Sequence, residues 1–259
     1  MIGLLGQVAG ISDDAMLISF LVFLRVGAAV AILPVVGEQS IPQRIRLVIA
    51  LCFTAIVTPA VYTRFPDVDP SMASALRFLL SEVVAGLAIG LSLRLFIHSL
   101  QIAGSIAAQS TSLSQIFGGA TAEPQPAIGH LLLISGLAIA VSFGLHVQAA
   151  EFLIYSYDIL KPGEFPAGAE FSAWGIFRIG RAFSLAFSLA APFVIASLIY
   201  NIAMGAINRA MPQLMVSFVG APAITAGGLI LLLVTAPLIL QAWFAALTYF
   251  LNNPFGMPP

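Results

Sequence analysis

Six apolar stretches set the terms on which this chain can fold. They cover residues 15–33, 41–61, 71–95, 127–148, 176–207 and 221–251. As α-helices they are each about 30 Å long or more, enough to cross the hydrocarbon of a bilayer. Backbone in lipid must satisfy its own hydrogen bonds, so runs of this length predict helices rather than open strands. A water-soluble fold is excluded by the scarcity of charge: 8% of residues are charged and 60% hydrophobic, where a soluble domain carries about a quarter charged. The expected fold class is all-α: a polytopic membrane protein with about six long hydrophobic helices in helical hairpins.

A net charge of −1 and the lack of a basic tail argue against nucleic-acid binding. The first basic residue is Arg25, so the N-terminal stretch lacks the basic region of a cleavable signal and the first apolar segment is expected to be retained. Cys52, the single cysteine, lies in an apolar run and is expected to be a small core residue.

Between the apolar runs, local signals mark starts and stops. Ser12, Asp13 and Asp14 suit the first turn of the first helix. Pro34 ends that helix, and Pro42 is placed to open the second. Arg44 and Arg46 then sit where basic groups oppose the helix dipole, so each needs a partner: a headgroup, a carboxylate or a neighbouring subunit. Gly86 and Gly90 have the G-x-x-x-G spacing that lets another helix approach, and Gly136, Ala140 and Gly144 form a second small-residue seam. Residues 151–174 are the longest amphiphilic interval, with Pro162-Gly163 as a turn. Pro192 and Pro237 predict kinks. Residues 208–220 break the last two helices apart, with Arg209 near helix-end carbonyls and Pro212 blocking continuation. Ile41-Pro42-Gln43 and Met211-Pro212-Gln213 share Pro-Gln, which is either chance or the trace of a duplication.

Arg25, Glu82 and Arg94 are charges within apolar helices. Such groups belong either to an ion or proton pathway or to pairs with one another or with a neighbouring subunit. The loop charges give no orientation: residues 44, 46, 94 and 209 fall on one side, and 64, 77, 161, 178 and 181 on the other.

No catalytic constellation is present. His98, His130 and His146 are isolated, and nucleotide-loop, zinc-protease and nucleophile-elbow motifs are missing. The sequence therefore predicts no enzyme, no cofactor and no metal.

The remaining stretch, residues 101–127, is rich in Ser, Thr, Gln and Gly, and Glu123 is its only charge. Polar, flexible and nearly uncharged backbone suits the lining or closure of a passage inside protein.

Three segments together resemble the FliR family of flagellar export-gate proteins and its injectisome counterpart. They are residues 24–51, with L-R-V, Pro34 and I-P-x-R; residues 108–126; and residues 201–228, where Asn208, Arg209, Pro212 and Gln213 match the family pattern. The resemblance covers essentially the whole chain and implies one export-gate domain, residues 1–259. It implies FliP-like and FliQ-like subunits as partners in a helical hetero-oligomer that conducts unfolded flagellar proteins, with FlhB-like and FlhA-like proteins on the cytoplasmic side. It places the chain in the bacterial inner membrane at the flagellar basal body, part of it above the bilayer plane on the periplasmic side.

It also implies a channel plug at residues 110–120. Ser110, Ser112, Ser114 and Gln115 would be its polar part, Ile116 and Phe117 its apolar stopper, and Gly118-Gly119 its hinge. Arg44, Arg46, Asn208, Arg209, Pro212 and Gln213 become subunit contacts or structural corners. Alternatives are an injectisome gate, a stand-alone secondary transporter, whose sequence support is the glycine seams and Glu82, and a membrane enzyme, which lacks an acid–base set.

Overall fold

The computed structural model describes residues 13–38, 40–66, 71–111, 127–211 and 216–256. Seven α-helices hold most of these residues, and no strand occurs among them: α1 (Asp13–Ile32), α2 (Gln43–Val61), α3 (Met72–Ser110), α4 (Ala127–Ser142), α5 (Leu145–Ile159), α6 (Gly168–Ala210) and α7 (Val216–Asn252). The all-α, polytopic class is the observed one, with five helices long and apolar enough to cross a membrane and a bent pair, α4 and α5, that brings the number to six.

Several boundaries differ from the sequence expectation. The third apolar run does not differ in this way: it continues through residues 102–108, which also read as helix, into one helix of 39 residues ending at Ser110. Its hydroxyls bond within the helix: Ser99 donates to the Phe96 carbonyl at 2.7 Å and Ser110 to that of Ile106 at 2.8 Å. Side chains satisfied in this way do not interrupt a helix.

The fourth run, expected as one helix over residues 127–148, breaks at Gly144, and its two halves meet at 73°. Gly144 has φ +79°, a left-handed backbone that favours glycine. It is therefore a corner rather than the third step of a small-residue seam. The interval 151–174 is likewise more helical than expected, because α5 runs to Ile159 and α6 begins at Gly168.

Packing falls into two compact units. The first holds residues up to 94, 141–177 and those from 251 on. Its core includes Val22, Val26 and Ala29 from α1, Val57 and Val61 from α2, Ile89 and Leu93 from α3, and Phe152 and Leu153 from α5. The Gly86/Gly90 seam sets the spacing of α1 and α3. A Cβ on Gly90 would lie 2.7 Å from the Ala29 carbonyl oxygen, and one on Gly86 would fall on that of Arg25.

The second unit holds residues 95–140 and 178–250. Leu100, Leu132, Ala186, Phe193 and Trp243 are buried in it. Trp243 packs beside Gly136 and donates its indole N–H to the Phe96 carbonyl at 2.8 Å. Gly104 and Gly129 bring the backbones of α3 and α4 into contact.

Much apolar surface is left uncovered. In the most apolar window of α2, α6 and α7 only 22% of residues are buried, against 50% in α3. Leu233 is 78% exposed, Ile176 71% and Ile202 65%. Cys52, expected in the core, is exposed on α2. Hydropathy says that a helix avoids water but not which of its faces is covered, so an apolar neighbourhood did not fix this residue's burial.

Candidate functional site

Within the first unit, the densest polar chemistry is centred on Arg25. The α1 face that carries it is otherwise Leu21, Val22, Val26 and Ala29, all buried, so the guanidinium is drawn into the core with them. Glu82 faces it from α3, and both side chains are 0% exposed. The contact is bidentate: Nε lies 2.8 Å from Glu82 Oε2 and Nη2 lies 2.9 Å from Oε1. Arg25 also donates to Ser156 Oγ at 3.1 Å and to the Leu160 carbonyl at 2.8 Å. Leu160 follows the last turn of α5, where carbonyls lack helical partners. The Tyr157 hydroxyl donates to Glu82 Oε2 at 3.1 Å, and its ring lies 3.6 Å from Arg25 Cζ.

Isolated buried charges are costly, and a pair is tolerated when its remaining lone pairs and protons are also satisfied. The node meets that condition. It ties α1, α3 and α5 together through four hydrogen bonds from the guanidinium. The turn after α5 closes it: Gly163 has φ +73° and packs under Phe78, whose Cζ would be 2.7 Å from an added Cβ.

Two further charge contacts belong to this unit. Arg94, half-buried on α3, meets Glu38 at 2.8 Å. Arg46 donates to the Glu38 backbone carbonyl, while Arg44 is exposed. At the other end of α2, Arg64 pairs with Asp158 at 3.1 Å and donates to the Ile154 carbonyl at 2.7 Å. The link before α2 contains Val35 at φ 72°, a conformation rare for a β-branched residue.

In the second unit, a cavity of about 350 Å³ lies among Thr111, Phe193, Tyr200, Ile224, Gly228 and Leu231. Its lining is nearly all apolar. Tyr200 turns its hydroxyl to the Gly220 carbonyl at 2.6 Å, which joins α6 to α7.

The expected site residues are distributed unevenly. Arg25 and Glu82 meet each other, and Arg94 meets Glu38. Asn208 and Arg209 are exposed in the last turn of α6. Ser110 is the final residue of α3. Ser112, Ser114, Gln115, Ile116, Phe117, Gly118, Gly119, Pro212 and Gln213 lie outside the described residues. His98, His130 and His146 are exposed, and His98 bonds Gln101 at 2.9 Å. Among the described residues no three His, Cys, Asp or Glu side chains are grouped to hold a metal. Sequence reasoning missed Glu38, Ser156 and Tyr157 as partners. Only Tyr157, an aromatic with a polar tip beside apolar residues, carried any signal.

Comparison with known proteins gives a consistent result. The family described as bacterial export proteins, family 1, matches residues 16–249. The flagellar biosynthetic protein FliR of Caulobacter vibrioides is 33% identical over 228 residues, covering 87% of this chain and 91% of that protein. FliR of Bacillus subtilis is 28% identical over 232 residues, covering 85% and 86%. FliR of Escherichia coli is 26% identical over 222 residues, covering 83% of each.

Proposed function

Since the chain belongs to the bacterial export proteins of family 1, among the FliR flagellar biosynthetic proteins, we propose that it is a core subunit of the flagellar export gate. It forms with FliP-like and FliQ-like subunits the channel through which unfolded flagellar proteins leave the cytoplasm. FlhB-like and FlhA-like proteins meet it on the cytoplasmic side. The names of the relatives favour a flagellar gate over an injectisome gate. Residues 1–259 act as one export-gate domain, as the family match across both packed units supports. The subunit itself is not an enzyme and supplies no energy source.

The observation that carries the reading is the length of α7. It has 37 residues and no charged side chain, so it is about 55 Å long against roughly 30 Å of bilayer hydrocarbon. Lipid alone cannot cover it. The excess needs protein around it, which suits a chain held in the inner membrane with part of its helices above the bilayer on the periplasmic side, among other subunits. The uncovered faces of α2 and α6 support the same conclusion.

Residues 110–120 act as the plug, with Ile116 and Phe117 as the apolar stopper. A dewetted apolar constriction blocks ions, and small uncharged neighbours give a passing polypeptide few strong holds. Arg44, Asn208, Arg209, Pro212 and Gln213 contact neighbouring subunits. Deleting residues 112–119 in the assembled complex is expected to make the membrane conduct small ions. An assembled complex with unchanged ion conductance would remove the plug assignment.

A further inference from the structure

Pro34 stops α1, and the residues that follow it, Val35-Val36-Gly37, carry a local contradiction. β-branched side chains favour backbone at negative φ. Val35 instead has φ 72°, and the Val36 N–H donates back to the Pro34 carbonyl at 2.9 Å. That combination is a γ-turn of the rarer, strained hand. The chain then doubles back tightly. The Gly37 N–H donates to the Leu33 carbonyl at 2.7 Å, and a Cβ on Gly37 would lie 2.8 Å from that same oxygen. Leu33 and Pro34 are buried, which fixes the near end of the turn.

Two arginines hold the far end through a single residue. The Glu38 carboxylate lies 2.8 Å from Arg94 Nη1 on α3, with a longer Nη2 contact at 3.5 Å. The Glu38 backbone carbonyl accepts from Arg46 Nη2 on α2. Arg46 Nε is buried and has no hydrogen-bond partner among the described residues, although a guanidinium offers Nε and Nη2 as a fork that matches one carboxylate. Strain and clasp are of the same order. Positive φ at a non-glycine residue costs about tenfold in a local equilibrium. A partly exposed ion pair such as Arg94–Glu38 contributes up to about fivefold, and a hydrogen bond from a charged donor about tenfold.

We propose that residues 33–38 are a two-state strap built into the fold. In the tight state Arg94 holds the Glu38 carboxylate and Val35 is strained. In the relaxed state Val35 returns to negative φ and the γ-turn opens. The Glu38 carboxylate then passes to the Nε–Nη2 fork of Arg46, which leaves Arg94 open to another anion. Whatever draws Arg94 away from Glu38 thereby redirects the backbone between α1 and α2. The strap does not depend on the export reading, and all of its residues lie in the first unit.

Ser40 and Leu91 are both exposed. Spin labels on Ser40→Cys and Leu91→Cys, in a Cys52→Ser background, report the distance from the strap to α3 in the full chain in dodecylmaltoside micelles. One dominant distance is expected without further substitution. Arg94→Gln should move at least about half of the molecules to a second distance, because the strain then outweighs what remains of the clasp. Val35→Gly added to Arg94→Gln should shift the populations back about tenfold, since glycine adopts positive φ without strain. An Arg94→Gln chain that keeps the original distance would overturn the proposal, as would a Val35→Gly substitution that returns none of the population.

The transfer to Arg46 has its own measurement. Gly37→Ala excludes the tight path by steric clash with the Leu33 carbonyl and so populates the relaxed state. In that chain Glu38→Gln and Arg46→Gln should be coupled at least about threefold in the unfolding equilibrium. The coupling should exceed that in the native chain, where Arg46 meets the Glu38 backbone rather than its carboxylate. Coupling no stronger than in the native chain would overturn the transfer. If Gly37→Ala does not fold, Arg94→Gln supplies the relaxed background for the same cycle.

Discussion

Replacing Arg25 with methionine tests the buried node most directly. The substitution keeps a long side chain in the core but removes two hydrogen bonds to Glu82, one to Ser156 and one to the Leu160 carbonyl. Glu82 is left fully buried with the Tyr157 hydroxyl still bonded to it. Breaking a buried pair by removing one partner costs about 3–5 kcal/mol, mostly for the charge left behind. Removing both charges is a different perturbation. In Arg25→Met with Glu82→Leu no charge is stranded, but the Tyr157 hydroxyl and the Leu160 carbonyl lose their partners, at about 1–3 kcal/mol each. Adding Tyr157→Phe removes the stranded hydroxyl and leaves the Leu160 carbonyl and the Gly163 N–H that faced Glu82. The triple variant is therefore expected to be more stable than Arg25→Met alone, and within about 1–3 kcal/mol of the native chain.

Unfolding of each variant in mixed dodecylmaltoside–dodecylsulfate micelles, followed by tryptophan emission, measures the series. The reasoning fails if Arg25→Met unfolds within about 0.5 kcal/mol of the native chain, or if the triple variant is no better than the single one. A Glu82→Gln chain that unfolds like the native one yet stops export would return Glu82 to a proton pathway.

Gly86→Ala should destabilise by about 1–3 kcal/mol through overpacking, since its Cβ would fall on the Arg25 carbonyl, whereas Gly27→Ala, whose Cβ meets only Phe23 at 3.9 Å, should be neutral or stabilising in the same unfolding assay. Gly144→Ala should cost about 1–2 kcal/mol from its left-handed backbone alone, because no atom lies within 4 Å of the added methyl. The Arg94–Glu38 contact is partly exposed, at 20% and 23%. Its loss in Glu38→Gln should therefore cost only about 1 kcal/mol, and less at high salt, as a salt series of unfolding curves would register.

How far the sequence could be read depended on the kind of signal. Apolar length marks helices directly, so α1 and α2 were legible to within about two residues, whereas α6 and α7 each begin several residues earlier than their apolar runs. The corner at Gly144 was not, because a glycine at four-residue spacing serves equally as a seam or as a left-handed turn. The backbone angle that decides between them is set by packing. Arg25 and Glu82 stood out as charges in apolar surroundings, but 57 residues separate them. Periodicity gives which face a residue occupies and not which distant helix meets that face. Ser156 and the Leu160 carbonyl carried no advance mark, since an ordinary serine and a backbone oxygen acquire a role only when a guanidinium reaches them. Cys52 shows the same limit from the other direction: its apolar sequence neighbours predicted burial, and the residue is exposed.

The Trp243 indole hydrogen bond has a consequence for how α7 meets membranes of different thickness. A helix without charges has no electrostatic reason to prefer one depth, and α7 would slide or tilt to suit the lipid around it. Trp243 ties α7 to the Phe96 carbonyl of α3 within the second unit. That bond would have to break for α7 to slide along α3. Mismatch with a thinner or thicker bilayer is then taken up by the lipid, which must compress or stretch around a helix whose register the protein has already chosen.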